Sequence, residues 1–451
     1  MAVGRHEVFF LIATLAPALV RALPSSSRPL AGLLERLRTR RGAFTLHETS
    51  AGARPFLLAG LYRALRGQLL VVVPTADIAE RTYADLTYYL ADESSRLALL
   101  RPREESVGII ESPSERSARM TLLADLAAGE PLLVVAPLAA LRQYVIPLAV
   151  FRALAFELRP GETFGFEHLP ETLYRLGYHR TDVVSAAGEF AVRGGIVDVW
   201  TASGASPARV EFFGDEIETI RSFDLASQLS NENLERLAIV PWSEIPREAV
   251  RRERVLAGVA GRGAVVSAAR SYVASGAEIP EAWLSLAYDE RESLVDYLAP
   301  DALIVLEEPS MLTRVERGLE DERSREEQTL LAAVESGELS VDEDAVGEAL
   351  LAEVAAPHPA LDALHDSFAR RGALIVPGAI EGEATPWLPR SLESFVLETR
   401  PVEHFNRQVS LFLSAAKEWI EAGETVALVS SGASRLAEML QGSGISVERR
   451  P

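Results

Sequence analysis

The stretch "AFTLHETSAGARPFLLAGLYRALRGQLLVVVP", residues 43–74, decides the fold class. It contains two short runs of β-forming residues, "AFTLHE" and "QLLVVVP", and between them "RPFLLAGLYRAL", which has the length and composition of a helix. The same alternation continues to residue 150 through the strand-like runs "LALL" and "PLLVVAP". Strands that alternate with helices are typical of a doubly wound parallel sheet, so the sequence predicts an α/β protein.

The overall charge bears on the kind of partner that the protein binds. The chain has 451 residues, 48% hydrophobic residues and a formal net charge of −20. Its length predicts about three domains at roughly 150 residues each. Tight, unaided binding to DNA phosphates requires a basic face, which this acidic balance opposes. Proteins are therefore the expected partners.

The composition also excludes several kinds of site. The sequence has no cysteine, which excludes disulfides, thiolate metal sites and thiol catalysis. The histidines are scattered without the spacing of metal ligands, so no metal site is predicted. They are His6, His47, His168, His179, His358, His365 and His404.

The apolar run "VFFLIATLAPALV", residues 8–20, has the length of a signal-peptide core. It lacks a good small-x-small cleavage site, and an amphipathic helical rhythm follows it. A packed helix is therefore predicted over residues 1–27, and a secreted protein is the alternative. No other apolar run approaches the roughly 20 residues of a membrane span, so a cytoplasmic protein without a membrane partner is expected.

The hydrophobic pattern changes near residue 152, where a β-rich segment interrupts the strand–helix alternation. Residues 188–223 alternate between apolar and polar positions like a meander of strands with a Gly-Asp turn. A later acidic stretch with helical rhythm is typical of a connector. The predicted organisation is an N-terminal helix (1–27), the first part of an α/β domain (28–151), an inserted β-rich α+β domain (152–242), the second part of the α/β domain (243–313), an acidic helical connector (314–353) and a small α/β domain, expected to be truncated (354–451).

Gly52, Ala53 and Arg54 lie at a predicted strand-to-helix junction, the usual place of a phosphate-binding loop. A working G-x-x-x-x-G-K-[S/T] loop needs a lysine on the β- and γ-phosphates and a hydroxyl on Mg²⁺. Ala53 and Arg54 supply neither group, and the only lysine of the sequence is Lys417. The loop is therefore predicted to be degenerate, with no bound cofactor.

A second feature of a nucleotide site is also altered. The strand-like run "ALIVLEEP" ends in Glu307 and Glu308, where a nucleotidase would have Asp-Glu for metal and water. An acidic pair at a strand end is more often solvated than catalytic. No catalytic residue is predicted in the chain.

The most specific stretch is "YHRTDVVSAAGEFAVRGGIVDVWTASGASPARVEFFGDEIETIRSFDLASQLS", residues 178–230. Its pattern GEF-x-VRGG-I-x-D, followed by RVEFFGDEIE-x-IR-x-FD, resembles two related bacterial repair families, excinuclease B and the transcription-repair coupling factor. Flanking stretches such as "SLVDYLAPDALIVLEEPSML" favour the N-terminal half of the coupling factor. Excinuclease B would retain an intact "GSGKT" loop and a long aromatic hairpin, which this sequence lacks.

The resemblance covers roughly residues 28–451 and implies a degenerate RecA-like domain without ATPase activity. In that family the complete protein is an ATP-dependent DNA translocase that uses ATP and Mg²⁺ and displaces stalled RNA polymerase. Its motor and its contacts to RNA polymerase and DNA would lie beyond residue 451. The alternative function is an ATP-dependent DNA helicase component related to excinuclease B.

The resemblance also implies excinuclease A as the partner of the inserted domain. Strand alternation alone separates an apolar face from a charged face. Without the resemblance, the charged face would be interpreted as ordinary solvated surface. Ala191 replaces an arginine that is usual in excinuclease B, which implies one missing contact. The partner-binding residues that the resemblance implies are Arg180, Arg193, Arg209 and Glu211; the alternation places the last three opposite Val192, Val210 and Phe212.

Overall fold

The computed structural model describes residues 8–11, 27–39, 42–103, 112–258, 274, 279, 281–336, 359–378, 384–400, 405, 408–423, 426–429, 433–445 and 447–450. These residues form an α/β protein with a parallel seven-stranded sheet and a separate six-stranded β-rich sheet. The predicted fold class is confirmed.

The strands are β1 (Val8–Leu11), β2 (Gly42–His47), β3 (Leu69–Val73), β4 (Leu97–Leu99), β5 (Leu133–Pro137), β6 (Tyr144–Val145), β7 (Phe156–Leu158), β8 (His179–Arg180), β9 (Glu189–Arg193), β10 (Ile196–Val199), β11 (Ala208–Phe213), β12 (Glu216–Phe223), β13 (Ser230–Asn233), β14 (Leu237–Ile239), β15 (Glu292–Ser293), β16 (Leu303–Glu307), β17 (Gly372–Val376), β18 (Ser391–Val396), β19 (Val426–Val429) and β20 (Val447–Arg450). The α-helices are α1 (Arg28–Thr39), α2 (Arg54–Leu65), α3 (Ala76–Tyr89), α4 (Pro113–Ala127), α5 (Leu138–Leu141), α6 (Leu148–Leu154), α7 (His168–Arg175), α8 (Ala249–Gly258), α9 (Leu284–Ala287), α10 (Leu294–Tyr297), α11 (Pro309–Ser336), α12 (Leu361–Arg370), α13 (Val409–Glu421) and α14 (Ala433–Gly442).

The seven-stranded sheet has the order β18-β2-β17-β16-β3-β5-β4, and its paired strands are parallel. Strand β3 is buried along its whole length. Its side chains alternate between two apolar cores, because Leu70 and Val72 belong to one and Leu69, Val71 and Val73 to the other. Burial on both faces explains why this strand reads as a continuous apolar run.

The inserted sheet has the order β13-β12-β11-β10-β9-β8 and is antiparallel except for the β8–β9 pair. A tight turn at Gly194 and Gly195 joins β9 to β10. Strands β7 and β14 pair antiparallel beside this sheet. The chain therefore enters and leaves the β-rich module at neighbouring points, as expected for an insertion.

One apolar core runs through both units. It includes Val72 and Leu122 of the α/β unit and Val197, Val210 and Trp242 of the inserted module. The module thus packs directly on one face of the α/β unit. Apolar contact of this kind holds domains together much more firmly than a flexible linker does.

The predicted C-terminal domain is divided between two sheets. Strands β17 and β18 belong to the seven-stranded sheet, where they pair with the two edges of β2. Strands β19 and β20 instead pair on either side of β1. Sequence periodicity predicts strands but not their neighbours, which explains why one unit was expected over residues 354–451.

The N-terminal prediction differs from the structure where the two can be compared. A helix is predicted over residues 1–27, but Val8–Leu11 is a strand. An apolar run with aromatic residues is compatible with either element, and parallel pairing on both sides favours the strand here. Residues 1–7 and 12–26 lie outside the described residues.

The acidic stretch is helical over the part that the structure describes. Helix α11 runs to Ser336, and residues 337–353 lie outside the described residues. Throughout the ranges given above, no helix is long and apolar enough to span a membrane.

Candidate functional site

The inserted sheet sorts its side chains onto two faces. Arg193 and Glu211 are both in register with Ile196, and Arg209 is in register with Asp198, two residues further along β10. Directly paired residues of an antiparallel sheet point to the same face, and residues two apart along a strand share a face. Arg193, Arg209 and Glu211 therefore lie on one face, as the alternation predicts.

Arg209 is held by a carboxylate of the same sheet. Its Nε donates to Asp198 Oδ1 at 2.7 Å and its Nη2 to Asp198 Oδ2 at 2.9 Å. Its guanidinium also lies 5.0 Å from the ring centroid of Phe223. The hydrogen bonds to Asp198 raise the pKa of Arg209. Since the Asp198 side chain is only 3% exposed, this pair is part of the framework of the module.

Glu211 has an internal partner as well. Arg221 Nη2 donates to Glu211 Oε2 at 2.7 Å, and Thr219 Oγ1 donates to the same oxygen at 3.0 Å. The side chains of Arg221 and Glu211 are 35% and 25% exposed. The pair is thus accessible to solvent, while its hydrogen bonds fix the orientation of the Glu211 carboxylate. Arg221 is a further charged group of this face, which the sequence resemblance did not imply as a partner-binding residue.

Arg193 and Arg180 are both exposed, but they occupy different places. Arg193 Nη2 donates to the carbonyl oxygen of Asp182 at 3.1 Å, at the end of β9. Arg180 lies on the edge strand β8 in register with Phe190. Its side chain therefore lies on the same face of the sheet as Phe190 and Val192. The structure brings Arg193, Arg209 and Glu211 together on one face and places Arg180 outside that group.

Phe213 is the most exposed large apolar side chain of the inserted module, at 81%. The partner strand β12 has one extra residue, Glu218, opposite the step from Glu211 to Phe212, and the alternation of β11 itself continues through Phe213. Phe212 packs against the core, and its amide donates to Gly195 O at 2.9 Å, next to the β9–β10 turn. Phe213 therefore lies beside the turn that follows Arg193. The doublet "FF" in the sequence indicates that one of the two rings faces solvent, since two successive aromatic residues cannot share a face of a regular strand.

Ala191 and Trp200 are less accessible than the charged residues. Ala191 is buried in a small cluster with Val184 and Phe223, and Trp200 packs against that cluster. The Nε1 atom of Trp200 donates to Gly204 O at 2.9 Å. An apolar cluster thus covers position 191, where the sequence resemblance implies an arginine in excinuclease B.

The degenerate phosphate loop has its own ion pairs. Arg54 begins helix α2, after the short 3₁₀ turn Ala51–Ala53. Its Nη1 donates to Glu308 Oε1 at 2.7 Å and lies 3.4 Å from Glu307 Oε2. The side chains of Arg54 and Glu307 are 9% and 4% exposed. One guanidinium thus lies against both carboxylates of the acidic pair beside the loop.

Glu307 is strongly affected by its surroundings. Burial raises its pKa to about 7, because the positive charge of Arg54 offsets only part of the loss of solvation and Glu308 adds repulsion. Glu308 follows the strand with a positive φ of 49°, a conformation that costs energy for a non-glycine residue. Arg54 and Glu307 thus form a largely buried pair beside the loop, whose residues Ala51 and Gly52 are exposed. Among the described residues no group of acidic or histidine side chains is arranged to hold a metal ion.

Comparison with known proteins finds a match to a known domain in the β-rich module. Residues 156–244 match the family model of the UvrB interaction domain. The chain is 30% identical over 297 residues to the transcription-repair-coupling factor of Bacillus subtilis, across 61% of this chain and 25% of that protein. It is 36% identical over 226 residues to that of Myxococcus xanthus, across 48% of this chain and 19% of that protein.

The matched region spans about a quarter or less of the length of these relatives. A third, from Staphylococcus aureus, is 32% identical over 205 residues, across 45% of this chain and 17% of that protein. The resemblance that the sequence motifs indicate is therefore confirmed: the chain is related to the N-terminal region of bacterial transcription-repair coupling factors and contains a UvrB interaction domain.

Proposed function

We propose that this chain recruits excinuclease A to sites of stalled transcription, without catalysis of its own. The partner binds the charged face of the inserted sheet, through Arg193 and the groups around it. The complete protein is an ATP-dependent DNA translocase of the cytoplasm. ATP, Mg²⁺, RNA polymerase and DNA are bound by domains other than those described above.

The observation that carries this proposal is the state of the charged face within the matched domain. Arg193 and Phe213 are exposed there, whereas the charges of Arg209 and Glu211 are oriented by internal partners. Exposed aromatic and arginine side chains are the residues that most often dominate binding energy in protein interfaces. Groups that are already oriented lose little side-chain entropy on binding.

The phosphate-loop region supports the absence of catalysis. Ala53 and Arg54 replace the groups that hold phosphate and Mg²⁺. Arg54 is instead bonded to Glu308 and close to Glu307. A nucleotide would have to displace this ion pair without gaining the usual lysine contact.

Calorimetry between the 451-residue chain and purified excinuclease A tests the proposal. We expect saturable binding that the double variant Arg193→Ala/Phe213→Ala weakens. The matched control is Arg81→Ala/Leu392→Ala, which removes one exposed arginine and one exposed apolar side chain from the α/β unit. Equal binding by the wild type and a folded Arg193→Ala/Phe213→Ala variant would place the interface elsewhere.

A further inference from the structure

Glu244 lies where the inserted module returns to the α/β unit, and its side chain is completely buried. Backbone hydrogen bonds attach the segment around it to the module. Trp242 N donates to Leu176 O at 2.9 Å, and Arg247 N donates to Arg175 O at 2.8 Å. The backbone on both sides of Glu244 therefore moves with the inserted module.

The carboxylate of Glu244 contacts the other unit. One oxygen accepts a hydrogen bond from Arg103 Nη1, and the other accepts from Ile146 N at 2.7 Å. Arg103 is itself fixed, because its amide donates to Gln143 Oε1 at 2.7 Å and its Nη2 to Tyr144 O at 2.5 Å. One buried side chain thus joins the module to two segments of the α/β unit.

The backbone of Glu244 is also bonded to the segment that follows the module. Its amide donates to Glu281 Oε1 at 3.2 Å, and its carbonyl oxygen accepts from the Tyr288 hydroxyl at 2.6 Å. Burial alone would raise the pKa of Glu281, but the charges of Arg116 and Arg103 outweigh it and lower that pKa. Glu281 is therefore a charged member of the same buried network.

Two glycines bring the chain close enough for this network to form. A Cβ atom on Gly177 would lie 2.9 Å from Ser243 Cβ, and one on Gly188 would lie 2.2 Å from Trp242 Cε2. Both glycines have a positive φ, at 102° and 86°. The segment that contains Trp242, Ser243 and Glu244 thus packs tightly on the module, so a displacement of Glu244 would also displace the inserted sheet.

Apolar burial and charged hydrogen bonds contribute differently to such a junction. The shared apolar core holds the two units together, but hydrophobic attraction is non-directional and selects no particular angle. Charged hydrogen bonds are directional. A buried ion pair commonly adds little net stability compared with apolar residues of similar size, although removal of one partner alone is costly. A role in orientation is therefore the better explanation for charges at this place.

We propose that Glu244 is a positioning residue that, with Arg103 and Glu281, sets the orientation of the inserted sheet on the α/β unit. The module is then presented to its partner as part of one rigid body. This inference rests on the contacts of the junction and does not depend on which protein binds the module.

Distance measurement between spin labels on the two units tests the proposal. The sequence has no cysteine, so Arg81→Cys on helix α3 and Glu218→Cys on β12, both exposed positions, give two specific labels. We expect a narrow distance distribution in the otherwise wild-type chain. Glu244→Gln retains the size of the side chain, removes the charge, and should broaden or shift this distribution, about twofold in width.

A second variant separates orientation from stability. Arg103→Met/Glu244→Leu replaces the ion pair with apolar groups and should lower the melting temperature less than Glu244→Leu alone does, yet broaden the distribution as Glu244→Gln does. It also serves if Glu244→Gln does not fold. The control Glu393→Gln breaks an exposed ion pair with Arg36 within the α/β unit and should change nothing. An unchanged distribution in the folded Arg103→Met/Glu244→Leu chain would overturn the proposal, because the apolar core alone would then set the orientation.

Discussion

Arg209 and Asp198 form a bidentate ion pair across β10 and β11, with nitrogen-to-oxygen distances of 2.7 and 2.9 Å. The motif resemblance implies that Arg209 contacts the partner, but its guanidinium is already engaged with a nearly buried carboxylate of its own module. Loss of this arginine therefore has two effects, one on the fold and one on the surface. Separate measurements of stability and of binding distinguish the two.

The first prediction concerns stability. Arg209→Ala should lower the free energy of unfolding by about 2–4 kcal/mol, because it leaves the Asp198 carboxylate buried without its partner. Arg193→Ala should stay within about 0.5 kcal/mol of the wild type, since its side chain is exposed. Urea unfolding followed by circular dichroism measures both. Asp198→Ala/Arg209→Ala should recover part of the loss; a double variant less stable than Arg209→Ala would contradict the ion-pair explanation.

The second prediction concerns the partner surface. Arg193→Ala should weaken binding to excinuclease A by about 1.5–3 kcal/mol if the partner desolvates the guanidinium. Phe213→Ala should cost about 2 kcal/mol, roughly 30-fold in Kd, because an exposed ring beside a turn is suited to fill a pocket on a partner. Calorimetry on folded variants measures both effects. Leu229→Ala, at a second exposed apolar position of the module, serves as a comparison; a larger loss there would shift the contact toward the β12–β13 side.

The third prediction concerns the pH dependence of stability. The pKa of Glu307 is raised from 4.5 to about 7 in the folded chain, so the folded state binds its proton more tightly than the unfolded state does. The resulting stabilisation is complete below pH 4.5 and decreases as pH rises to about 7. This stabilisation corresponds to about 2–4 kcal/mol, since a shift of one pKa unit is equivalent to about 1.36 kcal/mol.

Unfolding experiments at a series of pH values check this prediction. Glu307→Gln has no proton to release, so its free energy of unfolding should fall less steeply than that of the wild type between about pH 5 and pH 7. Asp85→Asn, in helix α3, is a useful comparison because the pKa of Asp85 is also raised by burial but its side chain lies outside the loop cluster. Parallel curves for the wild type and Glu307→Gln would show that Glu307 does not titrate in this range.

The fourth prediction concerns nucleotide. The chain should neither bind nor hydrolyse MgATP, because Arg54 is paired with Glu307 and Glu308 while the phosphate and metal ligands are missing. Ala53→Lys alone should not create activity, since Arg54 still occupies the position of the hydroxyl residue. Micromolar MgATP affinity in calorimetry, abolished by substitution of Gly52, would favour the helicase alternative instead.

Local pattern was sufficient for the strands of the central sheet and for the charged face of the inserted one, although not for the strand Val8–Leu11. Strand β3 is recognisable from its apolar run, and the charged face of Arg193 and Arg209 follows from a period of two, because both properties depend on neighbouring residues only. The missing chemistry of the phosphate loop is equally local. Residue types at Ala53 and Arg54 exclude the lysine and hydroxyl contacts whatever the fold.

The tertiary structure decided which groups meet. Arg54 and Glu307 are separated by 253 positions in sequence, and Arg103 and Glu244 by 141, so no periodicity could pair them. The register of β8 placed Arg180 away from Arg193. By itself the sequence determined which side chains are charged and which face of a strand they occupy. Their partners and burial depend on strand register and packing across the whole chain, which only the folded structure sets.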